Sequence, residues 1–309
     1  MNTNFKLEKQ DLKLALVDST SATLFTGFDY GKWFSNSYFG SVAGKYFTLL
    51  PGVKSSTKVN KMDAVVGSVM QDDDGTYNSS NITISQIKLD VQPKKVNVTV
   101  PISVLETGFV STSLQAGSNN VATPNNFLTY FLEYVGKITN HEIELLTWSQ
   151  SDSEGLTYKL SASTATTKVT AVSAVTSSNI VGEISRVYTA ISNTVIGDPA
   201  LKIYLSSDLY YAYQLSFASQ ALSSSVFNGD VSNMKFLNIP VIEAKGAPTK
   251  KMYAFTDTNA VYAFDGSDDI SNISIIDFWN NTGVPSIGFA SRAKLGFDII
   301  VKSEAVLYA

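Results

Sequence analysis

The chain has 309 residues, of which 44% are hydrophobic and 16% charged, with 23 Lys and Arg against 27 Asp and Glu. That apolar share builds a core and excludes whole-chain disorder, and the net charge of −4 excludes DNA binding driven by a basic excess. Cysteine is absent and His141 is the one histidine, which excludes disulfide scaffolds, thiolate zinc sites, thiol nucleophiles and multi-histidine metal centres.

The length suits one large domain or two interleaved ones, at roughly 100–200 residues each. The low charged fraction points to a surface that meets protein more than water. At the N-terminus the one apolar run, Leu14 to Val17, is too short for a signal-peptide core. No stretch reaches the ~18 apolar residues of a membrane span, so a soluble, non-exported protein is expected. Asn-x-Ser/Thr sequons at Asn78, Asn81, Asn97, Asn272 and Asn280 read as chance in a chain rich in these residues.

Residues 1–25 lack a strong period and read as an arm. An aromatic-rich stretch over 25–47 holds one short helix near 35–46, broken by Leu50-Pro51-Gly52. Residues 53–100 read as a long β-hairpin. Extended candidates at 58–62 and 65–70 lead to a turn at Asp72-Asp73-Asp74-Gly75, and the return arm runs over 82–91. Its apolar residues fall at 82, 84, 87, 89 and 91, and the slip at 85–86 predicts a bulge or bend. Residues 95–100 alternate cleanly. With little apolar bulk in its outer half, such a hairpin must lie over something else.

Pro101 opens a short helix candidate over 102–109. Thr123 as N-cap and Pro124 at the first position start the strongest helix of the chain, running to residue 150 and spanning ~36 Å. Phe127, Phe131, Tyr134, Ile138, His141, Leu145 and Trp148 share one face, with Leu128, Leu132, Val135, Glu142 and Leu146 beside it. The broad apolar arc predicts burial on more than one side. Residues 157–178, rich in Ser, Thr and Ala, read as short strands or loop. A helix over 179–195, a strand over 201–205 and a helix over 209–219, capped by Ser206-Ser207-Asp208, suggest a small sheet flanked by helices. Strands follow over 235–264, with two more over 286–295 and 297–307. No repeat at a 20–50-residue period is present.

None of the local motifs assembles catalysis. His141-Glu142 begins a zincin motif, but Leu145 stands where the second His belongs, and His141 reads as a packed core residue. Asp72-Asp73-Asp74-Gly75 lacks the alternating acids and closing Glu of a calcium loop. It reads as a solvated tip or an electrostatic contact with a neighbour, and Asp265-Gly266-Ser267-Asp268-Asp269 reads as a turn. Glu142 and Glu144 point to different helix faces and make no glycosidase pair. No G-x-S-x-G, P-loop or G-x-G-x-x-G occurs. The residues therefore predict no enzyme, no metal and no cofactor.

Several phrases and their order do resemble a known family. They are Val98-Thr99-Val100-Pro101-Ile102-Ser103-Val104-Leu105-Glu106 after the hairpin and the long helix from Phe127-Leu128 through 138–144. Phe236-Leu237-Asn238-Ile239-Pro240-Val241-Ile242-Glu243 follows, with a Gly246-Ala247-Pro248 turn, and the chain closes on Gly288-Phe289-Ala290-Ser291-Arg292-Ala293-Lys294-Leu295-Gly296-Phe297-Asp298-Ile299-Ile300. Over roughly residues 50–309 the chain resembles the major capsid proteins of tailed bacteriophages.

The resemblance implies an α+β Hong Kong 97-like capsid fold. In it, 1–50 form an N-terminal arm and 51–100 an extended β-hairpin loop lying across a neighbouring subunit. Residues 101–154 form the peripheral domain with its long spine helix, 155–255 the axial domain, and 256–309 the return strands of the peripheral domain. It implies a subunit that assembles with itself into pentamers and hexamers of an icosahedral shell. The shell would enclose double-stranded DNA without sequence-specific binding or a membrane, in the virion capsid, after assembly in the host cytoplasm. Met1 opens only a short arm, so a separate scaffold is expected, with portal and decoration proteins as further partners. Asp72, Asp73 and Asp74 are the expected inter-subunit contacts, with Arg292 and Lys294 among their basic partners. The family's founding member cross-links a loop Lys to a neighbour's Asn; none of Lys54, Lys58 and Lys61 is matched to that position, and no cross-link is predicted.

Two alternatives share fewer features. An encapsulin-type cargo compartment has the same fold with a shorter loop. A β-rich binding or adhesion protein would suit the Ser, Thr and Asn content but needs export. An enzyme would need a solvent-facing His141.

Overall fold

A computed structural model describes residues 30–64, 82–101, 125–223, 234–265, 274–278 and 286–308. The expected arm over 1–25, the acidic turn at 72–75 and the helix candidate at 102–109 lie outside them.

The aromatic-rich stretch forms two helices, α1 (Tyr30–Phe39) and α2 (Val42–Tyr46), where the sequence predicts one. Ser41 divides them, because its Oγ accepts from the Gly44 N–H at 3.1 Å and caps α2. α3 (Asn125–Trp148) is the 24-residue spine. α1 lies along it. The Trp33 Nε1–H donates to the Leu132 carbonyl at 2.6 Å, and Asn140 Nδ2 donates to the Ser37 carbonyl at 3.3 Å. The close approach requires Gly136, where a Cβ would fall 2.6 Å from Ser37 Oγ.

The spine buries Phe131, Leu132, Val135, Thr139, Ile143, Glu144, Thr147 and Trp148. Tyr134, Ile138, His141 and Leu145 face outward, so the face expected to be buried as one is split, and His141 is exposed rather than packed. The apolar residues run round the helix, so spacing alone could not select the side that meets the body.

β1 (Thr48–Pro51) runs parallel to β10 (Ala260–Phe264), which pairs antiparallel with β12 (Ser286–Ile299). β12 also carries β11 (Ser274–Asp277) and β4 (Gln92–Pro101), completing a five-stranded sheet. β12 is one 14-residue strand where the sequence suggests a break at Gly296. Val96, Val98 and Val100 of β4 pack on the spine side of this sheet, as the alternation requires.

The hairpin proper is β2 (Ser56–Ala64) with β3 (Ile82–Asp90). Its register runs unbroken through Ser85 and Gln86, so the expected bulge is absent, and the strand is interrupted instead at Val91, where β3 gives way to β4. The slip records a change of apolar face. Leu89 is buried and Val59 packs beside it, whereas Ile84, on the other face, is 62% exposed.

The second sheet has six strands in the order β5-β13-β9-β6-β8-β7. These are β5 (Thr167–Val169), β13 (Val306–Tyr308), β9 (Met252–Thr256), β6 (Leu201–Ser206), β8 (Ile239–Ala244) and β7 (Lys235–Phe236). Both its faces are covered, which explains the near-continuous apolar runs. Tyr204, Tyr253, Phe255 and Leu307 face the spine core. Leu201, Ile203, Leu205, Met252, Ala254 and Tyr308 face a second core with α5 (Ile180–Ala190) and α6 (Ser207–Ser223). The stretch read as loop or strand includes a helix, α4 (Leu156–Ala162), anchored by the fully buried Leu156 and Leu160.

Candidate functional site

Where β4 and β12 pair, the outer face of the five-stranded sheet is polar. Successive strand residues alternate sides, and cross-strand register places Thr99 opposite Gly288, Asn97 opposite Ala290, Lys95 opposite Arg292 and Pro93 opposite Lys294. Thr99, Asn97, Lys95 and Arg292 are exposed. Lys95 and Arg292 thus stand side by side, two cations on one face, where like charges directly opposite repel. Sequence reasoning did not find Lys95. Its neighbour across the ladder is almost two hundred residues away, and only the strand register joins them.

Lys294 is differently placed. Its Nζ lies 2.8 Å from Oδ2 of the buried Asp265, so it already has an ion-pair partner inside the chain. The structure therefore brings Arg292 and Lys294 onto one strand face but leaves Arg292 the more open of the two. Asp72, Asp73 and Asp74 lie outside the described residues. Lys54, Lys58 and Lys61 lie on or beside β2, with Lys58 exposed.

Buried carboxyls elsewhere act as joints. Glu144 accepts from the Val42 N–H at the start of α2 and from Trp148 Nε1 at 3.1 Å, tying α2 to the spine. Burial pushes the Glu144 carboxyl above its usual range, against the two hydrogen bonds and the charges of Lys45 and Lys245, which lower it. The half-buried Asp257 ties the end of β9 to β6, paired with Lys202 and accepting from Tyr204 OH at 2.6 Å. Glu183 accepts from Tyr308 OH and pairs with Arg186, each at 2.8 Å. Each of these acids is accounted for by packing, and none faces a nucleophile.

A cleft of about 360 Å³ lies where the two cores meet, lined in part by Tyr46, Lys202, Tyr210 and Glu243. His141 is exposed, but its neighbours on the outer face are Ile138 and Leu145, and no described residue forms a hydrogen bond with it. Exposure removes the packing reading without supplying a triad. Among the described residues no group of three or more His, Asp or Glu could hold a metal, and no helix is long and apolar enough to cross a membrane.

No protein-family model matches the sequence, and no curated protein matches it. The similarity lies in shape. The capsid structure of cyanophage P-SCSP1u is similar at a TM-score of 0.55 and 7% identity, over 96% of this chain and 93% of that one. The procapsid of satellite phage P4, which includes its size-determination protein, gives 0.55 and 9%, over 90% and 97%. A virus-like particle from Pyrococcus furiosus gives 0.54 and 11%, over 90% and 96%. The chain thus has the α+β fold of phage capsid proteins, and the resemblance read from its sequence holds at the level of the fold.

Proposed function

We propose that the chain is the major capsid protein of a tailed phage. In this reading it is a structural subunit that assembles with itself into pentamers and hexamers of an icosahedral shell around double-stranded DNA. The observation that carries it is coverage in both directions. The capsid chains span 90–96% of this protein and it spans 93–97% of them, so the likeness is to a whole subunit rather than to a shared motif.

The Hong Kong 97 map follows from that reading. Residues 1–50 are the arm, 51–100 the extended loop, 101–154 the peripheral domain on the α3 spine, 155–255 the axial domain and 256–309 the return strands. The spine and the two sheets stay rigid while arm and hairpin adapt to slightly different neighbours, and many modest interfaces add up to a stable shell. The acids Asp72, Asp73 and Asp74 meet a neighbour's cationic strip at Arg292, with Lys95 and Lys294 beside it. The subunit carries no catalysis. A separate scaffold, a portal and decoration proteins complete the particle, which assembles in the host cytoplasm and becomes the virion capsid. Mild net acidity suits a wall that holds DNA without sequence-specific grip.

A cargo compartment of the encapsulin type is the second reading, favoured by the likeness to the Pyrococcus particle. The test is electron microscopy of the purified protein, alone and co-expressed with its genomic neighbours. Closed particles or five- and six-fold units support a shell. Nucleic acid inside them supports the capsid, and packed protein supports the compartment. A monomer under every condition overturns both.

A further inference from the structure

Nothing in the shell reading employs the cleft of about 360 Å³ between the two cores. It exists because the edge of the six-stranded sheet is left unfinished. β7 has two residues and pairs only with Ile239 and Pro240, through a tight turn in which Leu237 and Asn238 hold φ of 46° and 69°. Among the described strands, β8 therefore has no second neighbour from Ile242 onward. On the other side α2 stops at Tyr46. Val241 packs into one core and Ile242 against the other, and both line the cleft, so it opens across the strand edge.

Three kinds of group converge there. The exposed residues Lys45 of α2 and Lys235 of β7 bring ammonium groups. Tyr46 and Tyr210 bring rings from α2 and α6. Lys202, paired with Asp257, lies 4.8 Å from the centroid of the Tyr46 ring and steadies it. Glu243 is half-buried, and among the described residues its carboxylate has no hydrogen-bond or ion-pair partner. A partly desolvated carboxylate of this kind gains from a donor supplied from outside. Burial, and then the Glu243 charge, raise the Tyr210 hydroxyl's pKa, so that hydroxyl stays neutral beside the acid.

Cations, rings and a lone acceptor in one cavity match one chemistry. A nucleotide brings phosphate oxygens for lysines and a base whose face stacks on an aromatic ring. Where the base is cytosine or adenine, it also brings an exocyclic amine that donates to a carboxylate. The volume lies at the lower end of the roughly 300–1,000 Å³ of small-molecule sites, which suits a single nucleotide unit. We propose that this cleft binds one nucleotide unit with an amino-bearing base, its phosphate on Lys45 and Lys235, its base against Tyr210 and its exocyclic amine on Glu243. Its source is a free nucleotide or an unpaired nucleotide of single-stranded DNA. The site goes beyond the shell reading and does not depend on it.

The test is calorimetric titration of the purified protein with dCMP, dTMP, inorganic phosphate and a single-stranded deoxycytidine oligonucleotide. dCMP is expected to bind several-fold more tightly than dTMP, and phosphate more weakly than either. Tighter binding of dCMP than of the oligonucleotide identifies the free nucleotide as the ligand, and the reverse identifies the strand. Glu243→Ala should erase the preference for dCMP while leaving dTMP bound as well or better, because it removes an acid facing the phosphate. Lys235→Ala should weaken dCMP and dTMP alike, by several-fold. Neither side chain is fully buried, and circular dichroism checks that each variant folds. Equal binding of dCMP and dTMP by the native protein, a preference that survives Glu243→Ala, or no binding of dCMP overturns the site. None of these results bears on particle formation, so the shell reading stands or falls separately.

Discussion

Arg292 stands directly opposite Lys95 in the β4–β12 ladder, and both side chains are exposed. Two like charges in this position cost about 0.2–1 kcal/mol relative to neutral neighbours. Lys95→Glu should convert the repulsion into an attraction and raise subunit stability by roughly that amount in urea unfolding. The same change should lower particle yield if the strip receives acids from a neighbour. Unchanged yield would place the acidic contact elsewhere.

Replacing Asp72, Asp73 and Asp74 together by Ala is expected to weaken assembly while leaving the unfolding midpoint of the isolated subunit unchanged. The contact would be electrostatic and exposed. Raising the ionic strength, with a Debye length near 8 Å at physiological salt, should therefore mimic the triple replacement in the native protein. Light scattering against salt for both proteins measures it, and parallel salt curves would argue against the contact.

Glu144 receives two donors, the Val42 N–H and Trp148 Nε1. Glu144→Gln keeps the shape but turns an amide NH2 towards one of them, at a cost of about 1–3 kcal/mol. The pH dependence has a definite sign. Burial raises the native carboxyl's pKa above 4.5, so in that window the native state holds more protons than the unfolded state. This contribution to stability is complete below about 4.5 and declines as pH rises through the raised value. The advantage of the native protein over Glu144→Gln should therefore shrink as pH increases. A widening gap would show that the two hydrogen bonds outweigh desolvation.

Trp148 is fully buried, with ring centroids 4.9 Å from Tyr253, 5.4 Å from Tyr204 and 6.1 Å from Phe47. It joins the spine to the six-stranded sheet. Trp148→Ala is expected to cost about 3–5 kcal/mol, read in urea unfolding, and Trp148→Phe distinctly less. Equal losses would mean that the indole hydrogen bond to Glu144, rather than ring volume, carries the effect.

The spine was legible because 24 residues keep a helical period after a Pro start, and the strands of the six-stranded sheet because they are buried on both faces. What the sequence hid was long-range. The outward turn of Ile138, His141 and Leu145 depends on where the sheets lie, and the pairing of Lys294 with Asp265 depends on two strands meeting. α4 was missed because its anchoring is carried by Leu156 and Leu160 amid Ser and Ala, with the Thr157 hydroxyl bridging to the Trp148 carbonyl and Tyr253 OH. Gly296 read as a break. It is instead where β12 passes beneath the hairpin's base, since a Cβ there would fall 2.3 Å from the Asp90 carbonyl. The contact surfaces were legible only as charges, because their geometry is written in register.

The five-stranded sheet is stitched from remote parts of the chain, residues 48–51 against 261–264 and residues 92–101 against 286–295. Loop closure must precede each reward, so domains dominated by such pairings fold slowly. On the proposed shell reading, slow folding of single chains would meter the supply of competent subunits, and a slow supply favours completing existing particles over starting too many at once.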